Sequence, residues 1–149
     1  MAGGRLCTCG RRGCLEAYAG GWAIAARARE AVAEDPEAGQ AILDAAGKGD
    51  VTALVVSQAA ADGDPLAGRL LEDTARYLGT ALAGLVHVLN PRRIVLGGGL
   101  IDGNPWLVDV VESVIREDAI PVFSDGLDIR KSELGPRTGV IGAASLARR

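Results

Sequence analysis

The chain has 149 residues, is 48% hydrophobic and 23% charged, and carries a formal charge of -3, the size and makeup of one globular domain able to bury a core. Basic residues occur singly or in pairs, so a nucleic-acid footprint is not indicated, and charged residues or glycines break each apolar run well short of the roughly 18 residues of a membrane span. Met1–Arg5 leads into a cysteine-bearing stretch rather than an apolar one, so no secretory signal is expected and the expected location is the cytoplasm.

The first element is a loop. All three cysteines fall within Leu6–Glu16, LCTCGRRGCLE, as C-x-C-x4-C with Gly10 and Gly13 between them. An odd number of thiols in a cytosolic chain argues against a disulfide framework and leaves metal ligation or redox chemistry. Glycines let the backbone fold back far enough for thiolates to converge. Three thiolates and one imidazole make a closed structural zinc site, and the fourth ligand is not in this loop. The only histidine, His87, lies in GLVHVLN inside a helical run, where a packed or solvated side chain is the expected role.

Helical patterns follow. Leu15 to about Glu34 is rich in Ala, Arg and Glu, weakened at Gly20 and Gly21, and ends at Asp35–Pro36. The stretch to Lys48 has no decided pattern. Gly47–Gly49 marks a turn before a helix over Val51–Ala61. Asp64 as N-cap and Pro65 at the first helical position open the longest helix, whose Leu66, Leu70, Tyr77, Leu78, Leu82, Leu85 and Leu89 predict a buried face. Asn90–Pro91 stops it. Ile94–Leu96, a short continuous apolar run, suits a strand covered on both faces, as parallel strands are. Asn104 as cap and Pro105 as first residue predict a helix with Leu107, Val108, Val111, Val114 and Ile115 on one stripe. Leu127–Ser132 reads as a second, weaker strand, and Gly139–Leu146 as a closing helix whose small residues permit tight packing.

Strand, crossover helix and strand make a βαβ unit, with the two strands parallel. Two strands leave both edges of a sheet bare. The expected fold class is therefore α/β, mostly helical with a parallel βαβ unit and an incomplete sheet. The expected organisation is a single partial domain over 1–149, with the cysteine loop at 6–16, a helical region at 15–90 and a βαβα region at 92–147.

Cys7–Glu16, CTCGRRGCLE, resembles the C-x-C-G-x-x-G-C-x-E motif of the ROK family of bacterial sugar kinases and sugar-responsive repressors. LNPRRIVLGGGL at Leu89–Leu100 and GVIGAASLA near the end are similar to the family's nucleotide-side glycine segment and C-terminal helix. The likeness covers the C-terminal half of that family, and the N-terminal lobe is expected to lie outside this chain. The resemblance implies the C-terminal part of an actin-like ATPase (ribonuclease H-like) domain. It also implies a structural zinc held by Cys7, Cys9 and Cys14 with a histidine that would fall before Met1.

By the same resemblance, Glu16 accepts hydrogen bonds from sugar hydroxyls and Gly97, Gly98 and Gly99 contact the nucleotide. The implied activity of the parent is ATP- and Mg-dependent phosphorylation of a hexose, with glucose the expected substrate. The competing reading is the sugar-sensing half of a repressor, the one case that would bring in DNA. No Asp here sits in the context of the family's catalytic base: Asp62, Asp64 and Asp102 read as turn or cap residues, so the chain alone is expected to be inactive. A homo-oligomer is expected.

Overall fold

The computed structural model describes residue 1 and residues 3–148. Helices fill the first part: α1 (Glu16–Ala19), α2 (Gly21–Glu34), α3 (Gln40–Ala46), α4 (Ala53–Ala61) and α5 (Pro65–Leu89). Then come β1 (Arg93–Leu96), α6 (Gly99–Gly103), α7 (Leu107–Asp118), α8 (Pro121–Ser124) and β2 (Asp128–Lys131). A 3-10 turn at Gly135–Arg137 leads into α9 (Thr138–Leu146).

Local chemistry sets most boundaries. The Asp64 carboxylate accepts from Ala67 N–H at 2.7 Å with Pro65 next to it, so two orphan donors at the start of α5 are dealt with. Asn90, left-handed at φ 43°, ends the helix. Thr52 caps α4 through Val55 N–H at 3.3 Å, two residues later than the pattern predicts. The undecided stretch before Lys48 contains α3, closed by Gly47 at φ 57°. The run expected as one helix from Leu15 breaks at Gly20, whose extended backbone (ψ 151°) separates α1 from α2.

The core lies between helices. Ile24, Ile42, Val56, Leu71, Leu107 and Ile115 are all fully buried. Helix α5 packs most extensively on α7. A Cβ on Gly79 would come within 2.6 Å of the Val114 Cβ, so this glycine sets how near the two helices lie. The buried face of α5 is accordingly made largely of small residues, Ala67, Thr74, Ala75, Gly79 and Ala83, together with Leu70, Leu71 and Val86. Of the predicted stripe, Leu70 is buried, Leu66, Tyr77, Leu78 and Leu82 are half-buried, and Leu85 and Leu89 are exposed. Close approach selects small side chains, which displaces the larger leucines to the flanks.

Three further expectations are corrected. Helix α7 starts at Leu107, not at an Asn104 cap; Asn104 is buried at the end of α6, its amide donating to Ser57 Oγ and Leu100 O, both at 2.9 Å. The predicted stripe on α7 is otherwise buried, with Val108 at its margin. Strands β1 and β2 pair in parallel, Arg93 opposite Asp128 through Leu96 opposite Lys131, but β1 is covered on one side only: Leu96 is buried while Val95 is 57% exposed. Helix α9 buries none of its residues, and Val140 and Leu146 are 74% and 72% exposed. It rests chiefly on the 3-10 turn before it, so the tight packing its small residues permit is not made among the described residues.

Candidate functional site

The cysteine loop folds on a few backbone bonds. Leu6 and Arg12 form an antiparallel bridge, Cys7 N–H donates to Arg11 O at 2.8 Å, and Gly10 N–H closes a tight turn on Cys7 O at 2.9 Å. Gly10 and Gly13 take φ of 81° and 75°, the left-handed region that other residues enter at a cost. The result gathers the sulfurs: the three Sγ atoms lie within 4.8 Å of one another, with Cys9 and Cys14 only 3.6 Å apart. Tetrahedral zinc with bonds of about 2.3 Å separates its thiolates by about 3.8 Å. The donor set and its spacing therefore fit that ion on three of its four positions, and no fourth His, Cys, Asp or Glu joins the cluster among the described residues.

The thiols are unequal. Cys7 is buried, Cys14 half-buried and Cys9 exposed. Hydrogen bonding by the Arg11 backbone, then by its side chain and the neighbouring thiols, holds Cys9 down to about 7, whereas the adjacent Cys9 pushes Cys14 above the ordinary thiol value. One anion shared between two close sulfurs is the physical content of that opposition. His87 is far from this chemistry in role: its Nε2 accepts from Ile120 N–H at 2.9 Å and its ring meets Phe123 edge-on, so it is a packed histidine, as expected.

The loop is tied to the helical core through Tyr18 and Arg27. Tyr18 Oη accepts from Arg5 N–H at 2.8 Å, and its ring lies 4.7 Å from that of Tyr77 on α5. Arg27 is buried, donating to Tyr18 O at 3.2 Å, Thr74 Oγ1 at 2.9 Å and Leu70 O at 3.2 Å, with its guanidinium 5.5 Å from the Tyr77 ring centroid. A buried cation is tolerated when its donors are used in this way. Sequence reasoning missed Arg27; its place on the stripe with Ala23, Ile24 and Ala28 was the available signal.

Glu16 sits in the first turn of α1, two residues after Cys14, and so inherits its position from the loop. Its carboxylate lies over Gly20, where a Cβ would approach Oε1 to 2.3 Å. The triple glycine follows β1 directly. Gly97 is packed, since a Cβ there would meet the Ser132 Cβ at 3.0 Å; Gly98 has φ 100° and needs its conformational freedom; Gly99 faces open space. Glu16 and Gly97–Gly99 line one groove of about 410 Å³, with Leu78 in its wall. A second groove of about 410 Å³ between α2, α4 and α6 is lined by Gly21, Ala53 and Ser57, and it shares Gly99 and Leu100 with the first. A hydrogen-bond acceptor and an open glycine turn thus line the same groove, with a second groove adjoining it at Gly99 and Leu100. Asp64 is the cap expected of it and Asp62 ends α4, while Asp102 lies within α6 and pairs with Lys131 at 3.6 Å.

Known proteins share this sequence and geometry. The ROK family pattern matches residues 2–149. A glucokinase of Halalkalibacterium halodurans is 38% identical over 98% of this chain, and the match spans 44% of that protein. The DNA-binding transcriptional dual regulator NagC of Escherichia coli K12 is 33% identical over 98% of the chain and 34% of its own length. The crystal structure of a ROK family glucokinase from Streptomyces griseus in complex with glucose and AMPPNP superposes with a TM-score of 0.86 at 31% identity, over 97% of this chain and 47% of that one. The chain therefore spans less than half of each of these relatives. Similar along nearly its whole length, the chain belongs to the ROK family and has the actin-like ATPase fold of that family's sugar kinases, of which it covers about half.

Proposed function

We propose that the chain is the C-terminal half of an ATP-dependent hexose kinase acting on glucose in the cytoplasm. Glu16 binds the sugar hydroxyls, Gly97, Gly98 and Gly99 lie against the nucleotide, and Cys7, Cys9 and Cys14 hold a structural zinc. The observation that carries this reading is the shared groove, which among the described residues is lined by one carboxylate, Glu16, and by the triple glycine.

The chemistry follows from those positions. A carboxylate at the groove wall accepts from two adjacent hydroxyls and fixes the sugar's orientation. A glycine turn without side chains lets phosphate oxygens approach backbone. The neighbouring recess between α2, α4 and α6 is open to the rest of a nucleotide. Bound zinc supplies rigidity to the loop, and through it a fixed direction for Glu16. Phosphoryl transfer also needs a base on the attacking hydroxyl and magnesium on the phosphates. We assign that base and the first phosphate loop to the half of the protein outside this chain, so the 149 residues alone are inactive.

The test joins the chain to an N-terminal kinase lobe and measures ATP-dependent glucose phosphorylation. Activity is expected, with Glu16→Gln lowering kcat/KM by on the order of 100-fold or more. Turnover of glucose by the unjoined chain at an ordinary kinase rate would overturn the division of labour. The similarity to NagC supports one alternative, the sugar-sensing half of a repressor. A folded fusion that binds an amino sugar and phosphorylates nothing would favour it.

A further inference from the structure

Only part of the cysteine loop's chemistry is accounted for by metal ligation. The three sulfurs are not equivalent: Cys9 is exposed, Cys14 half-buried with its Sγ 3.6 Å from that of Cys9, and Cys7 buried beside Ala17 and Tyr18. Two thiols at that separation need only a small relative movement to reach bonding distance. The segment between them, Gly10–Gly13, contains both left-handed glycines and is the part of the chain best able to make it. Cys7 is held by its N–H bond to Arg11 O and its carbonyl bond from Gly10.

We propose that Cys9 and Cys14 form a modification site at which a hydroperoxide oxidises the pair to a disulfide, leaving Cys7 a thiol, and that a metal held by the three sulfurs protects against it. In the first step the exposed Cys9 sulfur attacks hydrogen peroxide: an S–O bond forms, the O–O bond breaks, and the departing hydroxide leaves as water with the Cys9 proton. In the second, the Cys14 sulfur attacks that sulfenic acid: the S–S bond forms, the S–O bond breaks, and hydroxide leaves as water with the Cys14 proton. Two thiols thereby lose two electrons and two protons, and one peroxide becomes two waters. Metal coordination occupies the same lone pairs, so loading and oxidation exclude each other. The bond draws Cys14, two residues ahead of Glu16, toward Cys9, which couples the redox state of the loop to the carboxylate.

The protection by metal rests on the zinc reading above; the disulfide does not, and neither needs sugar or nucleotide. Trypsin places Cys7 and Cys9 on residues 6–11 and Cys14 on residues 13–27, so a bond from Cys9 to Cys14 joins two peptides while one from Cys7 to Cys9 stays within a peptide. The chain is treated with hydrogen peroxide after chelation or after loading with Zn2+ alone, then alkylated under denaturing conditions and mapped by tandem mass spectrometry. In the metal-free chain the 6–11 and 13–27 peptides are expected to be joined through Cys9 with Cys7 alkylated. Cys7→Ser is expected to keep that link, and Cys14→Ser to stop at a sulfenic acid on Cys9 that a cyclic dione traps. Zinc is expected to slow the reaction at least about tenfold and to be released as it proceeds. Oxidation without the link, or a link through Cys7 in equal amount, overturns the pair; equal rates with and without Zn2+ overturn the protection.

Discussion

The helical core and the cysteine loop are ordered by different forces. Between α2, α3, α4, α5 and α7 the chain buries Ile24, Ile42, Val56, Leu71, Val86, Leu107 and Ile115, and close packing of these side chains is the main source of its order. The loop's own cluster is Cys7, Ala17 and Tyr18, flanked by Cys14 and Tyr77. It is held by a handful of backbone bonds, and by Arg27 and Tyr18 reaching across to α5. The loop is thus less supported by apolar burial than the helical core, and it is in the loop that a bound ion contributes most.

Core truncation should show the largest effect. Leu71→Ala is expected to cost about 2–5 kcal/mol in denaturant unfolding; a loss within the scatter of surface substitutions would mean that α5 is not the central helix. Next is Arg27→Met, which leaves the Tyr18 carbonyl and the Thr74 hydroxyl short of a donor and is expected to cost about 1–3 kcal/mol. Because Arg27 joins the two regions, hydrogen exchange should speed up in the loop as well as in α2; unchanged loop protection would separate them. Gly79→Ala sets overpacking against Val114, about 1–3 kcal/mol, against a gain in helix propensity of about 1 kcal/mol, so a net loss of about 1 kcal/mol is expected. A stabilised protein would show that α5 and α7 lie farther apart than described. On α9, Val140→Ser should stay within about 0.5 kcal/mol.

The loop answers to pH where the core does not. Cys9 is held down to about 7, so its ionised form favours the folded loop above the ordinary value of 9.0, and that contribution is lost as the pH falls through about 7. Cys14, raised chiefly by Cys9, acts in the other sense: its neutral form favours the loop below 9.0, and that contribution fades as the pH rises through its elevated pKa. Thiolate absorbance of the metal-free chain should therefore rise in one step near 7 and another above 9.0, with Cys9→Ser removing the lower step. A single step near 9.0 would show that neither Arg11 nor the neighbouring sulfurs hold Cys9 down.

Elements with their own chemical punctuation were legible from residues alone. The Asp64–Pro65 start and Asn90 stop of α5, and the apolar run of β1, needed no partner to be read. Elements defined by their neighbours were not. Asn104 has the residue type of a cap, yet its amide is claimed by Ser57, 47 residues away in sequence. The leucines of α5 marked the flanks of the buried face rather than its centre, because the position of α7 selects small residues there. The convergence of three thiols was readable from glycine spacing, but the meeting of Glu16 with the triple glycine, about eighty positions along the chain, depended on how α1 and α5 pack.

The break at Gly20 ties two properties to the same few atoms. The extended residue redirects the chain from α1 into α2, and the space its missing methyl leaves is filled by the acid of Glu16. Mutational tolerance there should be close to nil: the Cβ of even alanine would press on both that carboxylate and the Glu16 carbonyl oxygen, 2.6 Å away, so the acid's seat and the bend beneath it would be disturbed together.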